Sequence, residues 1–267
     1  MSFGLDEKVA LVFGAGSCGP GWGNGKAAAV AYARAGASVV AVDLDIERAD
    51  ETRSIIEQEG GNCLALKADV TKAGEVEEAV ARTVSAHGRI DILHSNVGIG
   101  DMGNPIDLAE DDWDHVIDTN LKSIFLICKH VLPIMLEQES GVITCISSVA
   151  SLGVRSPELI GYNVTKAALN HFTRTIAIGY AARGVRANAI LPGLMNTPMI
   201  YHVKGHVAQY GGEEAMVSSR DAQSPTGKMG DAWDVAHAAV FLASDEANYI
   251  NGVILPVDGG LSCGIGL

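Results

Sequence analysis

The 267-residue chain has no Cys-x-x-Cys pair, no cluster of lysines and arginines, no internal repeat and no proline-rich or low-complexity linker. Each absence excludes something. The five cysteines, Cys18, Cys63, Cys128, Cys145 and Cys263, are scattered and odd in number. That pattern suits reduced thiols better than a disulfide framework or a thiolate zinc site. Acidic residues number 32 against 19 basic, a formal charge of −13. A surface of that sign repels nucleic acid and anionic membranes, so neither is an expected partner. The opening MSFGLDEKVALVFG lacks the basic start, long apolar stretch and small-residue cleavage site of a secretory signal. The most apolar later segment, SIFLICKHVLPIML, is broken by Lys129 and His130 and is too short to span a bilayer. A cytoplasmic protein with a solvated acidic surface is the expectation.

What is present is alternation. Short β-branched runs at Lys8–Phe13, Ser38–Val42, Cys63–Ala68, Ile90–Ser95, Gly141–Ile146, Val185–Leu191 and Gly252–Val257 read as seven strands. Segments of helical period lie near 25–36, 45–59, 72–87, 111–137, 159–183 and 231–243. Strands alternating with helices imply right-handed crossovers and a parallel sheet covered on both faces. The expectation is one α/β doubly wound domain over 1–267. One long irregular piece runs from Pro192 to about Gly230, where a substrate loop is expected.

Six glycines fall between Gly14 and Gly25, in GAGSCGPGWGNG. A literal Gly-x-Gly-x-x-Gly exists at Gly14, Gly16 and Gly19, but a helix after Gly19 would take in Pro20, Gly21, Gly23 and Gly25. Each interior glycine costs about 1 kcal/mol relative to alanine. KAAAVAYARAG, by contrast, is strongly helical and ends on a glycine suited to a C-cap. The helix is therefore placed to start near Asn24 or Gly25, its free N–H groups meeting a dinucleotide pyrophosphate. In that register Gly14 leaves the strand, Gly23 and Gly25 allow close approach, and Ser17 sits in an enlarged phosphate loop with Trp22 at its base. Asp43 closes the second strand 18 residues beyond Gly25, near the spacing of a carboxylate that holds the adenosine ribose. No Arg or Lys is adjacent in sequence to neutralise a 2′-phosphate, which points to NAD over NADP. The alternative is that Asp43 caps the following helix.

At these residues the chain resembles the short-chain dehydrogenase/reductase family, whose Rossmann-type fold carries a Gly-x-x-x-Gly-x-Gly turn. Aligning its last two glycines to Gly23 and Gly25 leaves five extra residues here. The resemblance extends from about residue 6 to 263. Tyr162 and Lys166, in GYNVTKAALNHF, have i, i+4 spacing and share a helix face. With Ser148 and Asn120 they match the family's Ser–Tyr–Lys–Asn set in order, and the resemblance implies that these four are catalytic. A phenol with a pKa near 10 is a poor base at neutral pH, so Tyr162 needs the Lys166 cation and a positive nicotinamide beside it. Lys166 would also bind the nicotinamide ribose. Ser148 would orient the substrate oxygen, with Ser147 the neighbouring alternative, and Asn120 would hold a water leading to Lys166. The resemblance also implies adenine contacts from Asp69 and Val70, cofactor contacts from Asn96 in SNVG and from Met195, and a Pro192-Gly193 turn with Thr197 that holds the nicotinamide carboxamide.

These readings predict an NAD-dependent oxidoreductase interconverting a secondary alcohol and a ketone, with the homotetramer common in the family. An enoyl reductase of the same fold is the related alternative, although those enzymes generally space two tyrosines and a lysine differently. A non-catalytic NAD-sensing or scaffold protein would be expected to lose Tyr162 or Lys166, and both are intact. Substrate choice is assigned to residues around 98–102, 149–160 and 194–215, a mostly apolar set in which Arg155 could pair with a carboxylate. His202 and His206 have i, i+4 spacing but no third ligand in register, so no metal is expected.

Overall fold

Strand β1 (Val9–Phe13) is VALVF, and all five residues are buried. A strand covered on both faces must be apolar throughout rather than alternating. The computed structural model describes residues 4–264 apart from 155 and 204. In it β1 is followed by β2 (Ser38–Asp43), β3 (Cys63–Lys67), β4 (Ile92–Ser95), β5 (Gly141–Ile146), β6 (Val185–Pro192) and β7 (Ile254–Val257). All pair in parallel in the order β3-β2-β1-β4-β5-β6-β7. Helices α1 (Asn24–Arg34), α2 (Ile46–Gln58), α3 (Ala73–His87), α4 (Glu110–Ile117), α5 (Ser123–Glu137) and α6 (Ile160–Tyr180) cross between strands. Three short helices follow β6: α7 (Met199–His202), α8 (His206–Gln209) and α9 (Glu213–Gln223). Helix α10 (Ala232–Ala243) leads into β7.

Successive residues of β1 serve opposite layers. Leu11 and Phe13 pack with Ile124, Ile127, Val131 and Leu169 from α5 and α6. Ala10 and Val12 pack with Ala27, Ala28, Val235 and Ala239 from α1 and α10. Alanine on both helices of the second layer keeps it thin, so α1 sits close against the sheet. Local signals set the helix ends. Asp45 accepts a hydrogen bond from Glu47 N at 3.0 Å to cap α2, and Asp231 and Asp234 form a capping box on α10.

Two sequence expectations change. The segment 192–230 is not irregular, since it holds α7, α8 and α9. The stretch expected as one helix over 111–137 begins at Glu110 and is interrupted by a π-helical turn, Asp118–Lys122, between α4 and α5. The whole run Glu110–Glu137 is helical for 28 residues, long and apolar enough by length and composition to cross a bilayer. More than half of its most apolar window is buried inside the fold, where Ile124, Ile127, Val131 and Met135 belong to the core.

Strand order reverses between β1 and β4, so the chain leaves these two neighbours in opposite directions. A crevice opens there at the carboxyl ends of the strands.

Candidate active site

The glycine loop sits in that crevice. Gly14 and Ala15 both donate to Val42 O, at 2.8 and 3.0 Å, and Asn96 Nδ2 donates to Gly14 O at 3.1 Å. The first helical residue of α1 is Asn24, and its N-cap, Gly23, offers no side-chain cap. The N–H groups of the first turn are thus left for another partner. A Cβ on Gly25 would overlap Gly14 O and lie 2.7 Å from Asn96 Nδ2, so α1 is pressed against the end of β1 as closely as backbone allows. Gly23 is less constrained, a Cβ there meeting Gly16 O and Ser17 Oγ at 3.4 Å. Ser17 is buried and its hydroxyl donates to Gly19 O at 2.8 Å.

Trp22 closes the base of the loop against Trp233, ring centroids 4.8 Å apart. Lys26 is a participant that sequence reasoning missed. Its side chain is 4 % exposed, it bonds Gly21 O at 3.3 Å and Glu51 at 2.7 Å, and it lies over the Trp22 ring.

Asp43 ends β2 and accepts from Gly16 N at 2.9 Å and Asp45 N at 3.2 Å. The capping role belongs to Asp45, so that alternative for Asp43 falls away. Arg48, in the first turn of α2, is the second missed residue. A Cβ on Gly16 would lie 2.5 Å from Arg48 Cβ and 2.8 Å from Asp43 Oδ2, and the guanidinium pairs with Asp45 at 3.3 Å. Arg48 and Asp43 thus flank the same glycine of the loop, with the guanidinium turned to Asp45.

Asp69 follows β3 beside the buried Val70. Burial raises the Asp69 carboxyl, but hydrogen bonds from Thr71 N and Oγ1, with Lys72 at 3.4 Å, hold it below its ordinary value on balance. After β6, Met195 bridges to Gly230, and Thr197, itself buried, accepts from Ile200 N at 3.2 Å where α7 begins. The residues present fit a dinucleotide: an uncapped helix start, a cradle that a Cβ on Gly25 would fill, and a carboxylate at the end of β2.

Tyr162 and Lys166 stand one turn apart on α6, the Lys166 amine 5.5 Å from the centre of the Tyr162 ring. Lys166 is buried at 2 % exposure and donates to Ile146 O at 2.9 Å. Burial pushes its pKa down to about 8. Burial also pushes the Tyr162 phenol up, and a hydrogen bond with Ser148 opposes that rise. The two adjacent serines differ: Ser148 meets the phenol, whereas Ser147 is buried and donates to the backbone oxygen of Lys166 at 3.0 Å.

Asn120 lies in the π-helical turn, a distortion common at functional sites. Its amide brackets the Ile99 backbone, accepting from Ile99 N and donating to Ile99 O, both at 2.8 Å, and donates to Thr165 Oγ1 at 3.1 Å. A Cβ on Gly98 would sit 2.9 Å from Lys166 Nζ and 3.8 Å from Asn120 Oδ1. Lys166 and Asn120 thus meet beside Gly98, just after β4, while Ser148 meets the Tyr162 phenol just after β5.

The three segments assigned to substrate choice also meet. Space beside Gly100 is bounded by Leu159 and Val203, Gly103 N donates to Glu158 O at 2.6 Å, and Met102 Sδ reaches Gly205. Leu152 and Val154 stand open to solvent beside them. Tyr201 and Tyr210 pack on Ile200, Met216 and Met229 instead. Arg155 lies outside the described residues. A surface depression of about 530 Å³, lined by Tyr201, Glu213, Glu214, Val217, Ser218 and Asp221, contains none of the candidate catalytic residues. His202 and His206 each engage a carbonyl through Nδ1, Pro198 O and Ile200 O. Among the described residues no group of three His, Cys, Asp or Glu is placed to hold a metal.

Known proteins share this arrangement over almost their full length. A family model described as enoyl-(acyl carrier protein) reductase matches residues 21–262. The chain is 37% identical over 261 residues to 2,5-dichloro-2,5-cyclohexadiene-1,4-diol dehydrogenase LinX of Sphingobium indicum, covering 98% of each. It is 35% identical over 257 residues to 3-oxoacyl-[acyl-carrier-protein] reductase FabG of Thermotoga maritima, covering 96% of this chain and 98% of that one. A crystal structure from Burkholderia xenovorans, provisionally assigned as a short-chain dehydrogenase/reductase, superposes with a TM-score of 0.90 at 41% identity, covering 98% of each chain. With a seven-stranded parallel sheet, a glycine loop at its switch point and a Ser–Tyr–Lys–Asn set, the chain belongs to the short-chain dehydrogenase/reductase family of oxidoreductases.

Proposed function

We propose that this protein interconverts a secondary alcohol and a ketone with NAD as the hydride carrier. The observation that carries the reading is the Tyr162 hydroxyl, bonded to Ser148 and set one helical turn from a buried lysine amine.

When bound, the nicotinamide supplies the hydride-accepting carbon. The chain's own residues handle position and protons. Ser148 donates to the substrate oxygen and stabilises charge that develops there. Tyr162 takes the hydroxyl proton in oxidation and returns it in reduction. Its phenol, raised by burial in the free protein, needs nearby positive charge to act as a base, and Lys166 supplies part of it. Burial that draws Lys166 down to about 8 keeps its proton exchangeable near neutral pH. Asn120 holds Ile99 and Thr165, so the strand end at Gly98 stays against the lysine; its remaining carbonyl lone pair is where a water leading to solvent would bind.

The dinucleotide would lie from Asp69, Val70 and Asp43, through Gly14, Ser17, Gly23, Asn24 and Gly25, to Asn96, Met195 and Thr197. Asp43 favours NAD, since its carboxylate accepts from ribose hydroxyls and repels a 2′-phosphate. Arg48 is engaged by Asp45, which limits its pull on that phosphate.

LinX and FabG support a reaction at a carbon–oxygen bond, since one is named as a diol dehydrogenase and the other as a 3-oxoacyl reductase. The family model's name supports the alternative, hydride delivery to an enoyl double bond. Purified protein given NAD⁺ or NADP⁺ with secondary alcohols, diols, hydroxy acids, sugars and steroids, and NADH with ketones and an enoyl thioester, separates these readings. Turnover confined to the enoyl thioester would overturn the alcohol–ketone reading. We further infer a cytoplasmic homotetramer, acting on a small molecule and not on nucleic acid or membrane. Phe125 on α5 with Val164 and Ile178 on α6 are 54, 46 and 84 % exposed, an apolar surface that subunits would cover. Light scattering tests it.

A further inference from the structure

Gly19 has no conformational reason to be glycine, because its φ lies outside the left-handed region that Gly14 and Gly21 occupy. It has a steric one. The space a Cβ would fill at Gly19 is taken by the His202 imidazole, with Cε1 2.5 Å and Nε2 3.1 Å from that position. Gly19 belongs to the enlarged part of the phosphate loop, and His202 ends α7 in the segment assigned to substrate.

The contact is held from both sides. Ser17 Oγ bonds Gly19 O, and Lys26 bonds Gly21 O, so the loop presents Gly19 in a fixed place. His202 Nδ1 bonds Pro198 O at 2.8 Å, which orients the ring toward the loop. Gly21 meets Pro198 as well, a Cβ there lying 3.8 Å from Pro198 Cγ. Pro198 directly follows Thr197, the residue matched to the nicotinamide carboxamide contact. The extra loop residues therefore reach, through His202 and Pro198, the start of α7.

We propose that Gly19 and His202 are a positioning pair: the enlarged phosphate loop seats α7, so that dinucleotide binding at the loop orders the substrate segment and sets Thr197. This rests on the dinucleotide-dependent reading above. His202 touches no reacting atom in this scheme and acts through α7.

The pair predicts non-additive losses. Gly19→Ala forces the imidazole away and breaks its bond to Pro198 O. His202→Ala removes the ring from an exposed position where folding does not depend on it. The double variant places a methyl group where the ring was, so its effect should be less than the sum of the two. NADH is the probe, with its Kd read by nicotinamide fluorescence and the order of α7 and α8 by hydrogen exchange over residues 199–210. In the wild type, NADH should slow that exchange by about tenfold, within the usual range of coupling between sites. In Gly19→Ala and His202→Ala the slowing should fall by about three- to tenfold, the worth of one hydrogen bond, while Kd moves by less. The double variant, which lacks the same single bond, should lose no more than either single variant. Unchanged slowing in both single variants, or additive loss in the double, would overturn the pair. If the wild type failed to bind any nicotinamide dinucleotide, the functional reading itself would fail and take this proposal with it.

Discussion

The carbonyl oxygen of Gly14 occupies the point at which a side chain on Gly25 would begin. Strand β1 and helix α1 are eleven residues apart in sequence and meet there with only backbone between them. Asn96 Nδ2 closes the same point from β4, bonding Gly14 O at 3.1 Å. A methyl group at residue 25 cannot be absorbed by a rotamer change, because what it meets is backbone.

Gly25→Ala should therefore move α1 away from β1. Overpacking of this kind costs about 1–3 kcal/mol, visible as a lowered thermal midpoint. Because the displaced N–H groups are those offered to the pyrophosphate, NADH affinity should fall by about 100-fold or more, beyond what the stability loss explains. Ordinary affinity measured by titration would show that the close packing is not what forms the cradle.

Tyr162→Phe removes only a hydroxyl. Loss of a general acid–base group typically costs about 10²–10⁴ in rate, so kcat should fall by that amount while the NADH Kd stays within about threefold. Measuring Kd by fluorescence beside steady-state kinetics separates the two. A Phe variant that turned over at the wild-type rate would remove Tyr162 from the mechanism.

Ser147 and Ser148 are adjacent, and their environments assign them different jobs. Ser148→Ala should reduce kcat by about 10²–10³, as for loss of one donor to a developing oxyanion, with little change in melting. Ser147→Ala should do the reverse: it breaks a buried bond to the Lys166 backbone, costing about 1–2 kcal/mol of stability, and leaves more turnover per folded molecule. Matching kinetic losses in the two variants would contradict the assignment.

The sheet was legible because strands buried on both faces carry unbroken apolar runs. VALVF in β1 and VVAV in β2 announce themselves by composition, and predicted and observed strand limits differ by no more than two residues. Gly25 was legible because a helix cannot profitably hold three glycines and a proline in its first turns. Ser148, Tyr162, Lys166 and Asn120 were legible through resemblance, not through any period. The misses share a physical cause. Helices α7 and α8 have four residues each, too few for a 3.6-residue repeat to show. Helix α9 buries only Met216 and Arg220 of its eleven residues, so its apolar stripe is nearly invisible. Its acidic first turn, Glu213 and Glu214, was a usable start signal. Lys26 and Arg48 gain their places by folding alone, since Glu51, Gly21 and Gly16 come to them from other elements.

Asp43 and Arg48 make opposite contributions to cofactor choice. Asp43→Ser removes a like charge from the place a 2′-phosphate would take, an effect on the order of 2 kcal/mol, and leaves Arg48 nearby. The kcat/KM ratio for NAD over NADP should fall by about 10- to 100-fold. Adding Arg48→Ala to that variant should reverse part of the change through loss of NADP activity. A ratio unmoved by Asp43→Ser would mean that the carboxylate's bond to Gly16 N, not the cofactor, explains its presence.

Lys166 should also leave a signature on stability. Burial lowers its pKa from 10.5 to about 8 in the folded protein, so between these values the unfolded chain holds the lysine proton and the native state does not. Stability then rises with pH across that window, and below about pH 8 the fold carries the cost of a buried charge. Tyr162 is raised in the fold, so from about pH 10 upward its ionisation in the unfolded chain works in the opposite direction. The useful window is therefore about pH 8 to 10. There the dinucleotide-free wild type should gain on the order of 2–3 kcal/mol relative to Lys166→Met, because each tenfold change in proton affinity is worth about 1.36 kcal/mol. The methionine variant loses the bond to Ile146 O, worth about 1 kcal/mol, but that loss does not depend on pH. Denaturant unfolding of both proteins at several pH values isolates the difference. Parallel curves would mean that Lys166 keeps its proton through this range, and that its charge is available to the Tyr162 phenol at every pH where the enzyme is stable.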